Sequence, residues 1–266
     1  MTDLFDSSAL QSALAETMFA NTLQMFPTID STNTYAMQEG ANGAPHGTVY
    51  VADEQTAGRG RSDHAWHSEP HAGLYVSILL RPQMTPADAL WLSLATGLAV
   101  QRAVENVTAL VADIRWPNDL LFANRKFGGI LTEMNAETTR VRYAVIGIGI
   151  NVNHSQFPPA LLQVATSLRR ESDRETSRQG LLIALLHAMQ DEIVVLMETN
   201  IFSEATRSIL ERIERKSSWI RGKQVFVDEA GGYTGVTAGL DARGFLRVQT
   251  GAGIRTVLSG GVREKK

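Results

Sequence analysis

Hydrophobic and polar positions along the chain alternate at two different periods, and the periods sort it into strands and helices. Residues 22–26, 48–54, 73–81, 113–116, 120–122, 126–134 and 141–150 are short, mostly apolar runs bounded by turn residues, and each reads as a strand. Pro27 is expected to end the first of them. The run 73–81 is too apolar for an exposed edge, so it is expected inside a sheet. Residues 8–19 space Leu10, Leu14 and Met18 four apart, which predicts a helix. Asp30, Ser31 or Thr32 could cap a second helix through Glu39, which Gly40 would stop. Pro86 opens a third, reaching about residue 106, with Leu90, Leu94, Leu98 and Val104 on one face. Residues 179–198 and 203–215 are two more. Ala123-Asn124-Arg125 reads as a hairpin turn.

The texture changes near residues 217–222. From Lys223 onward no helical period remains. Short strands are expected at 223–228, 234–240, 245–250 and 255–259, broken by Gly231-Gly232, Ala242-Arg243-Gly244 and Gly251-Ala252-Gly253. Strands at this spacing predict a small antiparallel β-barrel. The expected organisation is an α+β domain over residues 1–218, whose first 21 residues are an extension, followed by a barrel domain over 219–266.

Composition narrows the function. The chain has 266 residues, 44% hydrophobic and 20% charged, which is ordinary for a globular protein with a sizeable core. A net charge of −3 supplies no global field toward nucleic acid or anionic membrane. The absence of cysteine excludes a disulfide scaffold, a zinc–thiolate site and a cysteine nucleophile, and it fits a reducing compartment. The N-terminus lacks the pattern of a signal peptide, and the apolar runs are each too short or interrupted to span a bilayer. A cytoplasmic protein without a membrane partner is expected.

Candidate chemistry sits at strand ends and in loops. Gln55 leads into Gly58-Arg59-Gly60-Arg61, and Trp66 follows. Glycine permits close backbone approach and positive φ, and arginine brings a planar fork suited to carboxylate and phosphate, so the loop reads as an anion clamp. Lys126 precedes Gly128-Gly129, where a ligand could lie against the strand beneath an ammonium. Arg115, Asn118 and Asp119 flank Pro117, and Asp119 could meet a phosphate-bound Mg²⁺. Ser31, Thr32 and Asn33 read equally as helix caps. Asn151 could read an adenine edge. Gly147-Ile148-Gly149 lacks the third glycine of a dinucleotide loop, and that reading is rejected. His64, His67 and His71 share one loop without a helical frame and read as solvated or packing residues.

Taken in order, these motifs resemble the biotin protein ligases. The resemblance runs from about residue 22 to the C-terminus. It passes through Asp30 to Asn33, Gln55 to Arg61 with Trp66, Arg115 to Asp119, Lys126 to Leu131, Gly147 to Asn151 and a late Gly260-Gly261. It implies a mixed, largely antiparallel β-sheet flanked by helices, of the class II synthetase type. It also implies a two-step reaction: the biotin carboxylate attacks the α-phosphate of ATP, with Mg²⁺, to give biotinyl-5′-AMP. A lysine of a biotin carboxyl carrier protein, such as the carrier of acetyl-CoA carboxylase, then takes the biotinyl group.

By the same resemblance, Ser31, Thr32, Asn33, Gln55 and Gly129 belong to the biotin pocket, and Arg59, Gly60 and Arg61 to its carboxylate end. Gly58, Trp66, Arg115, Asn118, Asp119 and Asn151 face the nucleotide, as do Arg59, Arg61 and Lys126, the last of which also meets the biotin carboxylate. Lys126 and Arg61 carry the chemistry. Residues 62–65, Ser-Asp-His-Ala, depart from the glycine- and arginine-rich continuation common in the family, so residues 58–61 are expected to make the contacts and 62–64 to govern closure. Only about twenty residues precede the first matched strand, too few for a three-helix DNA-binding domain, so a ligase acting without DNA is expected. An exposed sheet edge could pair two chains as a homodimer or receive the carrier. The competing readings are a lipoate or octanoate ligase or transferase of the same superfamily, and a non-catalytic nucleic-acid-binding module.

Overall fold

The computed structural model describes residues 5–198 and 204–265. The chain begins α1 (Ser7–Ala13), β1 (Leu23–Ile29), α2 (Thr32–Ala41), β2 (Thr48–Gln55), β3 (Gly73–Leu80), α3 (Leu90–Thr108), β4 (Asp113–Arg115), β5 (Asp119–Phe122), β6 (Arg125–Ala136) and β7 (Val141–Asn151). Three helices follow, α4 (Leu168–Ser172), α5 (Arg178–Glu198) and α6 (Glu204–Lys216). Strands β8 (Arg221–Asp228), β9 (Tyr233–Leu240), β10 (Leu246–Thr250), β11 (Gly253–Val257) and β12 (Gly261–Glu264) close the chain. The expected helix start at Ser203 lies outside the described residues.

β1 to β7 form one mixed sheet in the order β1-β2-β3-β7-β6-β5-β4. Only β1 and β2 run parallel; the remaining neighbours pair antiparallel. The expected α+β sheet is therefore present. Every residue of β3 is buried, as its composition requires of a strand between two neighbours. Pro27 does not end β1. The strand runs through it, with Phe26 opposite Ala52 and Thr28 opposite Glu54. β1 is an edge strand, and a missing amide on its free side breaks no ladder bond.

Gly40 does not stop α2 either. It lies inside the helix, where the Tyr143 ring packs on it, and the cap is Asn42. The helix expected from residue 8 to 19 ends after Ala13, although Leu10 and Leu14 are both buried in the core. Pro86 opens a single 3₁₀ turn, and α3 starts only at Leu90. The hairpin turn is Ala123-Asn124, both residues at positive φ.

α3 lies along α5, and Leu181, Leu182, Leu185, Leu186, Met189 and Ile193 of α5 have no exposed surface. Considered whole, α5 has the length and mean hydropathy (1.6 over residues 178–197) to cross a membrane, which its separate apolar runs did not suggest. Its burial against α3 explains that composition as a core helix.

The second sheet is antiparallel, in the order β11-β10-β9-β8-β12. Its outer strands β11 and β12 do not pair with each other, so the strand pairing is that of an open five-stranded sheet and not of the expected closed barrel. β12 was not expected. The inward side chains Val225, Val227, Leu246, Val248 and Val257 join the same buried cluster as α3 and the first sheet. Trp219, 1% exposed, sits just before β8 in that cluster.

Candidate active site

The polar end of the site starts from a helix cap. Ser31 has extended backbone, and its Oγ accepts from the Thr34 amide at 3.4 Å, which starts α2. The first turn then places Thr32 and Asn33 against Ser77 of β3. The Ser77 hydroxyl lies 2.8 Å from Thr32 Oγ1 and 2.9 Å from Asn33 Oδ1. Thr32 donates from both its amide and its hydroxyl to Gln55 Oε1, at 2.9 and 3.0 Å. Gln55 Nε2 donates in turn to Ser68 Oγ at 3.1 Å. Asn33 Nδ2 donates to Glu133 Oε2 at 2.7 Å, and Glu133 also accepts two bonds from Arg59 at 3.0 and 3.1 Å. The result is a row of fixed donors and acceptors at one end of a cleft.

The glycine–arginine loop is a small hairpin. The Trp66 amide donates to the Gly58 carbonyl at 2.8 Å, the Gly60 amide to the His64 carbonyl at 2.7 Å, and Arg59 bridges Ala65. Neither Gly58 nor Gly60 has positive φ, contrary to the expectation; the left-handed residue is Ser62, at φ 53°. Gly58 is needed for space. A Cβ there would lie 2.7 Å from the Trp66 carbonyl oxygen and 2.8 Å from Ser68 Oγ. Arg61, at the tip, donates from Nη1 to Asn118 Oδ1 (2.9 Å) and from Nη2 to the Ser259 carbonyl (2.8 Å). Both of these partners are neutral. Burial lowers the Arg61 pKa against the opposing influence of Asp119, yet arginine starts so high that it stays charged. The Asp63 side chain lies outside the described residues.

Across the cleft, Lys126 Nζ lies 2.5 Å from Asp119 Oδ1, and Arg115 donates from Nε and Nη2 to Asp119 Oδ2 at 3.1 and 2.6 Å. Asp119 is thus held between two cations. Burial alone would raise its pKa; Lys126 and then Arg115 outweigh burial and hold the carboxyl below its ordinary range. A carboxyl with a depressed folded pKa adds stability that is complete above the unfolded value, about pH 4. That contribution is lost as pH falls through the lower folded value. Acid unfolding followed by circular dichroism should therefore show the wild type losing its advantage over Asp119→Asn only below about pH 4. An unchanged difference down to pH about 2 would contradict the assignment.

Gly129 and Gly149 are opposite one another in the β6–β7 pair, and the Trp66 ring covers them. The sequence suggested that a ligand would lie there; the structure places the indole on that surface, with Lys126 Nζ 5.4 Å from its ring centre. Two cavities meet at this point. The first is lined by Ser31, Thr32, Asn33, Gln55, Arg59 and Gly129. The second includes Arg115, Asp119 and Asn151, and Asn151 Nδ2 donates to the Thr166 carbonyl at 3.0 Å. Gly60, Arg61, Trp66, Asn118 and Lys126 line both. Gly58 lines neither and forms the base of the hairpin.

Sequence reasoning missed Ser77, Glu133 and Ser259. Ser77 had a signal: it is the one polar residue in a strand otherwise apolar, and a buried hydroxyl requires a partner. Glu133 and the Ser259 carbonyl had none, because their partners are remote in sequence. The three loop histidines part company. His71 Nδ1 pairs with Asp53 at 2.6 Å, His64 Nδ1 lies 2.9 Å from the Arg61 carbonyl, and His67 faces His154.

Residues 25–151 match the model of the biotin/lipoate A/B protein ligase family. The chain is 31% identical over 242 residues to a biotin–[acetyl-CoA-carboxylase] ligase of Mycobacterium tuberculosis, covering 87% of this chain and 85% of that one. The chain is a member of the biotin protein ligase family. Among solved structures, the biotin protein ligase from Aquifex aeolicus in complex with biotin and ATP superposes with a TM-score of 0.79 at 30% identity. That match covers 92% of this chain and all of the other. The bifunctional ligase/repressor BirA of Bacillus spizizenii is 44% identical over 160 residues, 59% of this chain and 49% of its own. The chain thus spans about half the length of the Bacillus relatives it matches. The match to the biotin/lipoate A/B protein ligase family model ends at Asn151, the last residue of β7.

Proposed function

We propose that the protein activates biotin with MgATP to biotinyl-5′-AMP and transfers the biotinyl group to a lysine of a biotin carboxyl carrier domain. The observation that carries this reading is the wall shared by the two cavities. One cavity ends in neutral donors and acceptors, the other is lined by Arg115 and Asn151, and Arg61 and Lys126 stand where they join. A ureido ring matches the Thr32, Asn33, Gln55 and Ser77 cradle. The dithiolane ring of lipoate has no amide donors or carbonyl to bond them, so it gains nothing from that cradle. The biotin carboxylate then points toward the junction, where an α-phosphate enters from the other side. Two anions must approach there, and fixed cations offset both their repulsion and the charge that builds on phosphorus.

Lys126 is the cation placed to meet both groups, and Arg61 holds the loop over them through Asn118 and the Ser259 carbonyl. No protein nucleophile is required, since biotin attacks first and the carrier lysine second. Asp119 does not fit as a direct Mg²⁺ ligand, because both of its oxygens already face cations. Magnesium enters as part of the MgATP substrate. Asn118, bonded to Arg61 and to the Ile130 carbonyl, is a positioning residue for the loop. The partners are biotin, ATP and the carrier, and the cytoplasm is where they would meet.

The test is direct. Incubate the chain with biotin, MgATP and a carboxylase carrier domain, and weigh the carrier by mass spectrometry. A biotinyl mass increment with biotin-dependent pyrophosphate release is expected; the absence of both removes the reading, and a lipoyl increment in parallel reactions would favour the lipoate alternative. Arg61→Gly should release its adenylate. Biotin should then appear on lysines of an unrelated bystander protein at several times the wild-type level. Equal bystander labelling would deny Arg61 its retaining role.

A further inference from the structure

At the edge of the second cavity, which His67 lines, His67, Glu69 and His154 converge from two segments. Each offers one ligand atom, and the three atoms lie within 4.8 Å of one another. His67 Nε2 and Glu69 Oε2 are 4.0 Å apart, and the two imidazole ring centres 5.9 Å. Ligands sharing a tetrahedral zinc ion at about 2.0–2.1 Å stand roughly 3.4 Å apart, so small side-chain rotations close the set. His67 and Glu69 have room for them, at 35% and 47% side-chain exposure.

His154 supplies an independent observation. It has no exposed surface, and its Nδ1 is buried with no hydrogen-bond partner. Its Nε2 lies 3.5 Å from the Tyr75 hydroxyl, and that hydroxyl already donates its proton to the Glu69 carbonyl at 2.9 Å. The hydroxyl can therefore only accept from the imidazole, which places the ring proton on Nε2 and leaves Nδ1 with a bare lone pair. The Phe157 ring, stacked 5.3 Å away and nearly parallel, fixes its plane. An oriented, buried imidazole with an unpartnered nitrogen, beside a second imidazole and a carboxylate, is the donor set of a two-histidine, one-carboxylate metal site with an open fourth position.

We infer that His67, Glu69 and His154 bind one divalent transition-metal ion of the zinc class. The ion would fasten the outgoing arm of the glycine–arginine loop, one residue past Trp66, to the segment that follows β7. The test reads metal binding alone, so this inference stands or falls separately from the ligase reading.

The experiment uses the full chain, stripped with chelator and titrated with ZnCl₂ alone in a calorimeter. One equivalent should bind, and saturating zinc should raise the melting temperature. His67→Ala and Glu69→Gln, both at exposed positions, should each weaken binding at least tenfold and lose the thermal shift. His71→Ala, in the same loop but paired with Asp53, should bind as the wild type does. Failure to bind a stoichiometric equivalent overturns the inference. So does equal affinity in wild type and His67→Ala, or a loss in His71→Ala as large as that in His67→Ala.

Discussion

Lys126→Ala should reduce biotin-dependent pyrophosphate release by two to three orders of magnitude while leaving ATP affinity within a few-fold of the wild type. The ammonium lines both cavities and stands where a carboxylate and an α-phosphate would be pressed together. Its interaction with that pair grows as charge develops on the phosphorus oxygens. Removing one such pre-placed charge or donor costs about 3–4 kcal/mol in comparable sites. ATP alone would keep Arg61, which lines both cavities, so its ground-state binding would have another anchor. The variant also leaves Asp119 with Arg115 as its one remaining contact cation, and a half-paired carboxylate destabilises the fold. The double variant Lys126→Ala, Asp119→Asn separates the two effects: it should recover melting temperature but not adenylation. Single-turnover pyrophosphate release and thermal melts check this. Equal losses in adenylation and ATP affinity would reduce Lys126 to a binding residue.

The hydrophobic pattern located the strands of both sheets except β12: β3 and β7 as buried apolar runs, β8 to β10 by alternation of buried and exposed positions. It failed where a rule of thumb met tertiary context. Pro27 sits inside β1 because that strand is an edge, and Gly40 sits inside α2 because Tyr143 needs the space. The C-terminal strands were legible one at a time, but whether they close into a barrel depends on the pairing of β11 with β12, which no local pattern encodes.

The site divides in the same way. Residues whose chemistry shows in their own type, such as Arg61 and Lys126, were legible, and the structure brings them together. Residues whose role depends on a distant partner were not: Glu133 matters because Asn33 and Arg59 reach it, each from more than seventy positions away. The role of Arg115 also shifts with context. It read as a phosphate cation, and in the fold it braces Asp119 and stacks over Trp219, 5.2 Å from the ring centre.

Gly147→Ala should be the most damaging single-methyl change on the biotin side. A Cβ at this position would lie 2.3 Å from Asn33 Oδ1, far inside contact distance. Asn33 cannot step aside cheaply, because its Oδ1 faces the buried Ser77 hydroxyl and its Nδ2 is bonded to Glu133. Displacing it strands those partners, at about 1–3 kcal/mol for each buried polar group left unpaired. It also moves the first turn of α2, and with it Thr32, away from Gln55. Biotin affinity measured by calorimetry should fall by about 10- to 100-fold, as loss of one such group implies, with ATP affinity little changed. Gly149→Ala offers the contrast. Its Cβ would meet the Trp66 ring at 2.5 Å, and that ring belongs to the wall shared with the second cavity. Its indole nitrogen is buried without a partner, so no hydrogen bond holds the ring in place. The ring can therefore shift, and both ligands should weaken modestly and together. If Gly147→Ala instead left biotin affinity intact, the Thr32–Asn33–Gln55–Ser77 cradle would not be the surface that receives the ligand, and the assignment of the two cavities would have to be reversed.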